Sequence, residues 1–492
     1  MRDVTGIIHK ASAGVLSLPD TFVRAIFVIT IAHQMGLAIA ALYFGSMNFA
    51  DGAFFSFIIA ANEPWALHWS DFVARLTAYF MTAAPTQLVA DVFDLSGPVI
   101  SKFYGFLFYI LICVQHVLIA RLGWRHNTRY LILPVASYLF GTGLSFGFPS
   151  ELQLGIGFFW LAVFLLLSGR RVLIGLSVPS AFLMLFSHEV GAFGLLIIAA
   201  LTLRLPTLPR VERLGLLLCH ASLLGTLVWI KFSGLSPGAN GNAIFILDPR
   251  RIVKNPSLWA LGLAMLAATA VFRVSPLRMS ANLLTATFIG VLIPLLMAQN
   301  FNFLIGRYGS ARSLMAVMML ITPLPLMFWL PPNAVPRSTA VSTSLIATVL
   351  AAALGASIGS NLSQIREWHT NYSVASAYFN SGQTEDGTPE LVNLSALEAE
   401  APEVQRALTR LGLGTSWTWP FLAFMSTLDY RPSRMVVNDR LGNSMCDSSA
   451  LFPQEGSPIP KEHLEKIRAH ICALDKPAGH IGLIERLRRK LG

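Results

Sequence analysis

Residues 22–44 read FVRAIFVITIAHQMGLAIAALYF, an apolar run broken by a single formal charge, Arg24. As a helix it covers the roughly 30 Å hydrocarbon core of a bilayer, which takes about 20 residues at 1.5 Å each. An open sheet would leave its edge groups without partners in lipid, so a helix is the form the run takes. Comparable runs recur at 103–120, 130–147, 152–168, 172–187, 190–203, 214–232, 256–272, 280–299, 313–330 and 338–359. The expected fold is all-α, a polytopic membrane helix bundle of about 11 transmembrane helices, occupying residues 1–359.

Composition points the same way. Hydrophobic residues make up 54% and charged residues 13% of the 492, with mean hydropathy +0.60, where a soluble domain carries about 25% charged residues. The net charge of +10 comes from Lys and Arg scattered singly between apolar runs and forms no basic face. It reads as topology and contact with membrane lipid, and no nucleic-acid partner is expected. Met1 to Asp20 is mixed in polarity and precedes a run long enough to span, so the first helix is expected to act as an uncleaved anchor.

Orientation follows from the arginines. The segment Phe72 to Phe93, interrupted by Arg75, Pro85 and Asp91, is read as lying at the interface. With the N-terminus in the cytoplasm, Arg2, Lys10, Arg121, Arg125, Arg129, Arg170, Arg171, Arg204, Arg210, Arg213, Arg273, Arg278 and Arg337 then fall inside, as the positive-inside bias requires. Outer loops around Asp51, Glu151 and Glu189 hold almost no Lys or Arg. Two outer loops break the bias, one with Arg250, Arg251 and Lys254, the other with Arg307 and Arg312; binding of an anionic group is one reason for cations there. An odd number of spans sends residues 360–492 outside as a soluble domain.

On this topology the first outer loop, about 45–102, carries Asp51 just after the first helix. An aromatic stretch follows, Phe54, Phe55, Phe57, Trp65 and Trp69, suited to the headgroup layer. Asp51 serves either as a functional carboxylate or as the N-cap of an interfacial helix. LFSHEVG places His188 and Glu189 in a short loop on the same face, and GFPSELQ adds Glu151. In NFNFLIGRYGSARS, Arg307 and Arg312 flank Tyr308; guanidinium is suited to bidentate contact with phosphate.

A carboxylate in the first outer loop, an acidic motif in a later one, arginines near the penultimate helix and an exported tail together resemble the GT-C superfamily of polytopic membrane glycosyltransferases. The resemblance covers the layout of nearly the whole chain through short motifs. It implies a polyprenyl-phosphate-sugar donor whose phosphate is held by Arg307, Arg250 or Lys254 with Tyr308 beside them. It also implies a catalytic role for Asp51, with His188 and Glu189 as further catalytic candidates, and transfer to a glycan, lipid or protein acceptor. The superfamily's acidic residue is sometimes a metal ligand, so a divalent metal is the one cofactor the resemblance allows. NFADG carries one carboxylate where a paired Asp-Asp or Glu-x-Asp is usual, which leaves the metal unassigned. The location implied is a bacterial inner membrane with the C-terminal domain periplasmic. Two other readings stand beside it: a transporter or flippase of a lipid-linked or anionic substrate, and a non-catalytic subunit of a glycan assembly complex. A carrier should show polar groups at mid-membrane, where His33 and His116 are the candidates.

In the tail, Trp417 and Trp419 are candidates for acceptor stacking or for the core. Cys446 and Cys472 become a disulfide if the tail faces an oxidising compartment. The sequence carries no P-loop, dinucleotide fingerprint, zinc spacing or nucleophile elbow.

Overall fold

The computed structural model describes residues 20–48, 50–62, 75–126, 128–142, 150–205, 208–233, 343–382, 388–412, 416–441, 446 and 457–474. These are mostly helical. Helices α1 (Asp20–Phe44) and α2 (Ala50–Ala60) come first, then α3 (Ala84–Phe93) and α4 (Gly97–His126). Next are α5 (Ile132–Thr142), α6 (Glu151–Leu167), α7 (Ser177–Leu185), α8 (Gly191–Arg204) and α9 (Arg210–Phe232), and then α10 (Thr343–Phe379). Among them Thr21–Phe44, Gly97–Arg125 and Arg210–Ile230 are long and apolar enough to cross a membrane. α1 shows why: Val23, Phe27, Thr30, Gln34, Leu37 and Ala41 are buried at helical spacing, while Val28, Ile29, Ile39, Leu42 and Tyr43 are apolar and exposed. α9 likewise exposes Val211, Leu214, Leu218 and Trp229. Apolar faces of this kind match a hydrocarbon solvent.

Between 130 and 204 the described apolar helices are 17 residues or shorter. α5 has 11 residues, α6 17 and α8 14, and the run at 172–187 is divided into Arg171–Gly175 and α7. α6, about 25 Å long, buries 14 of its 17 residues and forms the centre of the core with α5, α7 and α8. A helix apolar on every side is wrapped by protein. The Ser180 hydroxyl donates to Phe158 O at 2.9 Å, and Gln115 of α4 donates to Leu154 O at 3.0 Å. Gln115 lies directly over Gly157, where a Cβ would collide with it. The expected spans at 256–272, 280–299 and 313–330 lie outside the described residues.

The segment expected at the interface is helical from Leu76. A wide π turn, Tyr79–Ala83, closes with the Ala84 amide donating to Tyr79 O immediately before Pro85. Proline lacks an amide and its ring crowds the preceding turn, so the wider turn makes room for it.

The chain divides into two compact units, one of Met1–Phe44, Trp65–Pro85 and Gly105–Arg366, the other of Gly45–Pro64, Thr86–Tyr104 and Glu367–Gly492. The expected border at 359/360 falls inside α10, which runs without a break to Phe379.

The second unit includes parallel strands β1 (Glu390–Asn393) and β2 (Arg434–Val437), registered Glu390 to Arg434, with those two side chains paired at 2.7 Å. Its core is aromatic: Phe57 of α2 meets Phe421 and Phe424 of the helix Trp419–Met425 (α11) at 4.8 and 5.3 Å between ring centroids. Phe54, Phe55 and Phe57 are buried. The expectation that they lie among headgroups is corrected for Phe54 and Phe57, which pack against Phe421 of the tail; Trp65 and Trp69 lie outside the described residues.

Cys446 and Cys472 form a disulfide with Cα atoms 4.9 Å apart. For a separation of 26 residues, Cys446→Ser is expected to cost about 3 kcal/mol, seen as a lower melting temperature of the tail that reductant reproduces in the wild type. Tyr430 donates its phenol proton to Leu95 O at 2.8 Å. Burial first, then the Asp94 carboxylate, push this phenol above its ordinary value. A raised folded-state pKa gives stability that is fully present below about pH 10 and lost as pH rises further. Above pH 10 the wild-type melting temperature should therefore fall more steeply than that of Tyr430→Phe.

Candidate functional site

The first unit gathers four polar side chains from the ends of apolar helices: Arg75, Glu151, His188 and Glu189. Local sequence sets each one. Ser150 caps α6, its hydroxyl accepting from the Leu152 amide at 3.4 Å, which puts Glu151 in the first turn, where the helix dipole favours a carboxylate. After α7 the chain turns at once into α8. The Ser187 hydroxyl donates to Leu183 O at 2.7 Å and the Gly191 amide to His188 O at 2.8 Å. A Cβ on Gly191 would lie 2.8 Å from Met184 O and 3.0 Å from Leu185 Cα, so the tight turn requires glycine. The Thr77 amide donates to Phe186 O at 3.0 Å and ties the start of the π-turn segment, Arg75 included, to this turn.

Arg75 Nη1 donates to Glu151 Oε1 at 3.4 Å, and its Nε lies 3.8 Å from Glu189 Oε2. His188 Nδ1 is 3.6 Å from the same Glu189 oxygen. The side chains are 3% exposed for Arg75, 13% for Glu151, 6% for Glu189 and 0% for His188, so these charges interact with little screening by water. The Val190 amide donates to His188 Nδ1 at 3.2 Å. The Nδ1 lone pair is thus occupied, and the neutral ring carries its proton on Nε2. The Arg75 guanidinium thus stands between two carboxylates, Glu151 and Glu189. A carboxylate at this place can take a proton from a hydroxyl brought within hydrogen-bond reach.

No protein-family model, curated protein or solved structure matches this chain.

Of the expected site residues, His188 and Glu189 come together, joined by Glu151. Asp51 belongs to the second unit, half-buried in the first turn of α2, so the helix starts at Ala50 and Asp51 favours its dipole from within. Trp419 is 3% exposed and part of the aromatic core, where it offers no open face for stacking. Trp417 lies in the single turn Ser416–Thr418. Arg250, Lys254, Arg307 and Tyr308 lie outside the described residues. Among the described residues no three His, Cys, Asp or Glu side chains converge to hold a metal. Sequence reasoning missed Arg75, taking it for an interruption in an apolar segment. The signal was available: a lone arginine and two lone glutamates, Glu151 and Glu189, in stretches otherwise nearly free of charge.

Proposed function

We propose that this chain is a membrane glycosyltransferase that moves a sugar from a polyprenyl-phosphate donor to a glycan, lipid or protein hydroxyl at the outer face of a bacterial inner membrane. The observation that carries the reading is the buried Arg75, Glu151, Glu189 and His188 cluster at the ends of apolar helices. A buried ionic group contributes no more to stability than apolar packing of the same volume often does, and perturbed ionisable groups gather at functional sites, which supports a chemical role for this one. Glu189 is the base that takes the acceptor proton, with the Arg75 guanidinium 3.8 Å away. His188, with its proton on Nε2, donates to the acceptor or to the leaving phosphate. The phosphate clamp falls to Arg307, Arg250 and Lys254, as the sequence resemblance implies, and Asp51 is a second candidate base. The disulfide supports an oxidising compartment for the tail.

A carrier is the second reading, favoured by the grouping of His33 and His116 around Tyr138, with ring centroids 6.1 and 5.3 Å away. The test is transfer of labelled sugar from a panel of polyprenyl-phosphate donors by purified full-length protein. Transfer is the expected result; no transfer with any donor, together with movement of lipid-linked sugar across liposomes, would replace the enzyme by the carrier.

A further inference from the structure

Helix α3 buries Thr86 and Ala90 and leaves Leu88, Val92 and Phe93 exposed; Leu88 and Val92 are one turn apart, on the side opposite the buried pair. Three residues after α3, Ser96 starts α4, its carbonyl accepting from the Ile100 amide at 3.0 Å. Val99 is exposed in the first turn of α4. Val117, about five turns further on and so on the same side, is exposed together with Val114 and Leu118. About 20 residues of helix cover the hydrocarbon core, and counted back from Arg121 they reach Ser101. Val99 and the end of α3 therefore fall at the surface of any bilayer that α4 crosses.

The tail reaches the same place. α11 ends at Met425, and the turn after it meets its own polar groups: the Ser426 hydroxyl donates to Ala423 O at 2.8 Å and the Thr427 hydroxyl to Phe424 O at 3.0 Å. Leu428 is left as the apolar tip, 75% exposed. A Cβ on Gly97, the first residue of α4, would lie 3.1 Å from both Met425 Cα and the Tyr430 ring, and the Tyr430 phenol is bonded to Leu95 O. Leu428, between those two residues in the chain, is thereby fixed beside the start of α4. Asp91, Asp94 and Asp429 are exposed nearby in sequence against one exposed guanidinium, Arg431, so attraction to anionic headgroups is not what the patch offers. Apolar insertion among zwitterionic headgroups fits it. We propose that Leu88, Val92 and Phe93 of α3 and Leu428 of the tail dock together into the lipid headgroup layer where α4 enters the bilayer, holding the tail against the membrane. This docking requires α4 to cross a bilayer and requires nothing of the sugar-transfer chemistry.

Photo-crosslinking in phosphatidylcholine nanodiscs tests it, with p-benzoylphenylalanine placed singly at Leu88, Val92, Leu428, Val114 and Glu403 of the full-length chain and each variant shown to be folded by its melting temperature. Val114, exposed midway along α4, is the lipid-facing reference. Glu403, exposed in the charged tail helix Pro402–Gly412, is the aqueous one. After irradiation, intact mass should show phospholipid adducts at Leu88, Val92 and Leu428 several-fold above Glu403 and close to Val114. An adduct at Val114 with none at Leu428, or with none on α3, overturns the docking. Adducts at none of these positions mean that α4 does not cross the bilayer, and the docking falls with it. A crosslink from Leu428 to a second copy of the chain, read as a doubled mass, replaces the lipid by self-association. Exchanging part of the phosphatidylcholine for phosphatidylglycerol should leave the yield at Leu428 level or lower; a rise would overturn the apolar basis of the contact.

Discussion

Arg75→Ala is expected to destabilise the first unit by about 3–5 kcal/mol, the effect of taking one partner out of a buried ionic group. Glu151 and Glu189 would lose the guanidinium now 3.4 and 3.8 Å away and would stay largely shielded from water. Arg24→Ala is the comparison. Arg24 is exposed on α1, and its removal should change stability by no more than about 0.5 kcal/mol. Thermal unfolding in detergent, followed by circular dichroism, separates the two. Equal, small shifts would mean that the cluster is solvated and that Arg75 holds nothing in place. Arg75→Lys should recover part of the loss, since an ammonium keeps the charge but cannot reach two carboxylates from two edges as a planar guanidinium does.

The second large effect is expected from a residue far in sequence from the part it supports. Phe57→Ala in α2 should cost about 3–5 kcal/mol, because its ring is 0% exposed and fills the space against Phe421 and Phe424. The loss should be seen in the tail: limited proteolysis should cut residues 367–492 faster in the variant than in the wild type. Leu428→Ala, at a side chain 75% exposed, should leave the rate unchanged. If the tail were a self-sufficient domain, Phe57→Ala would not alter its cleavage.

The sequence made α1, α4 and α9 legible because their apolar runs are long and continuous. Residues 130–204 were harder for a physical reason. Hydropathy records that a segment leaves water, and it is silent on whether lipid or protein replaces the water. α6 reads as a span and is wrapped by other helices. The same ambiguity misplaced Phe54 and Phe57: aromatic residues after a membrane helix suit the headgroup layer, and only the tertiary contact with α11 shows what covers them. His188 and Glu189 stood out as adjacent titratable groups in an apolar stretch. Their partner Arg75 is 113 residues before His188 in the chain, and no local spacing links the two. Charge complementarity was the available clue, because an arginine in a nearly uncharged region needs an anion. The cysteines gave the disulfide only conditionally, since sequence does not state the compartment.

The proposed role of Glu189 is that of a base acting on an acceptor hydroxyl. It is tested most directly by comparing sugar transfer from a polyprenyl-phosphate donor by wild type, Glu189→Gln and Asp51→Asn, each shown to be folded by its melting temperature. The account predicts that Glu189→Gln loses transfer by about 100-fold or more, while Asp51→Asn retains a larger share. Full transfer by folded Glu189→Gln would contradict it, and loss confined to Asp51→Asn would move the base to α2.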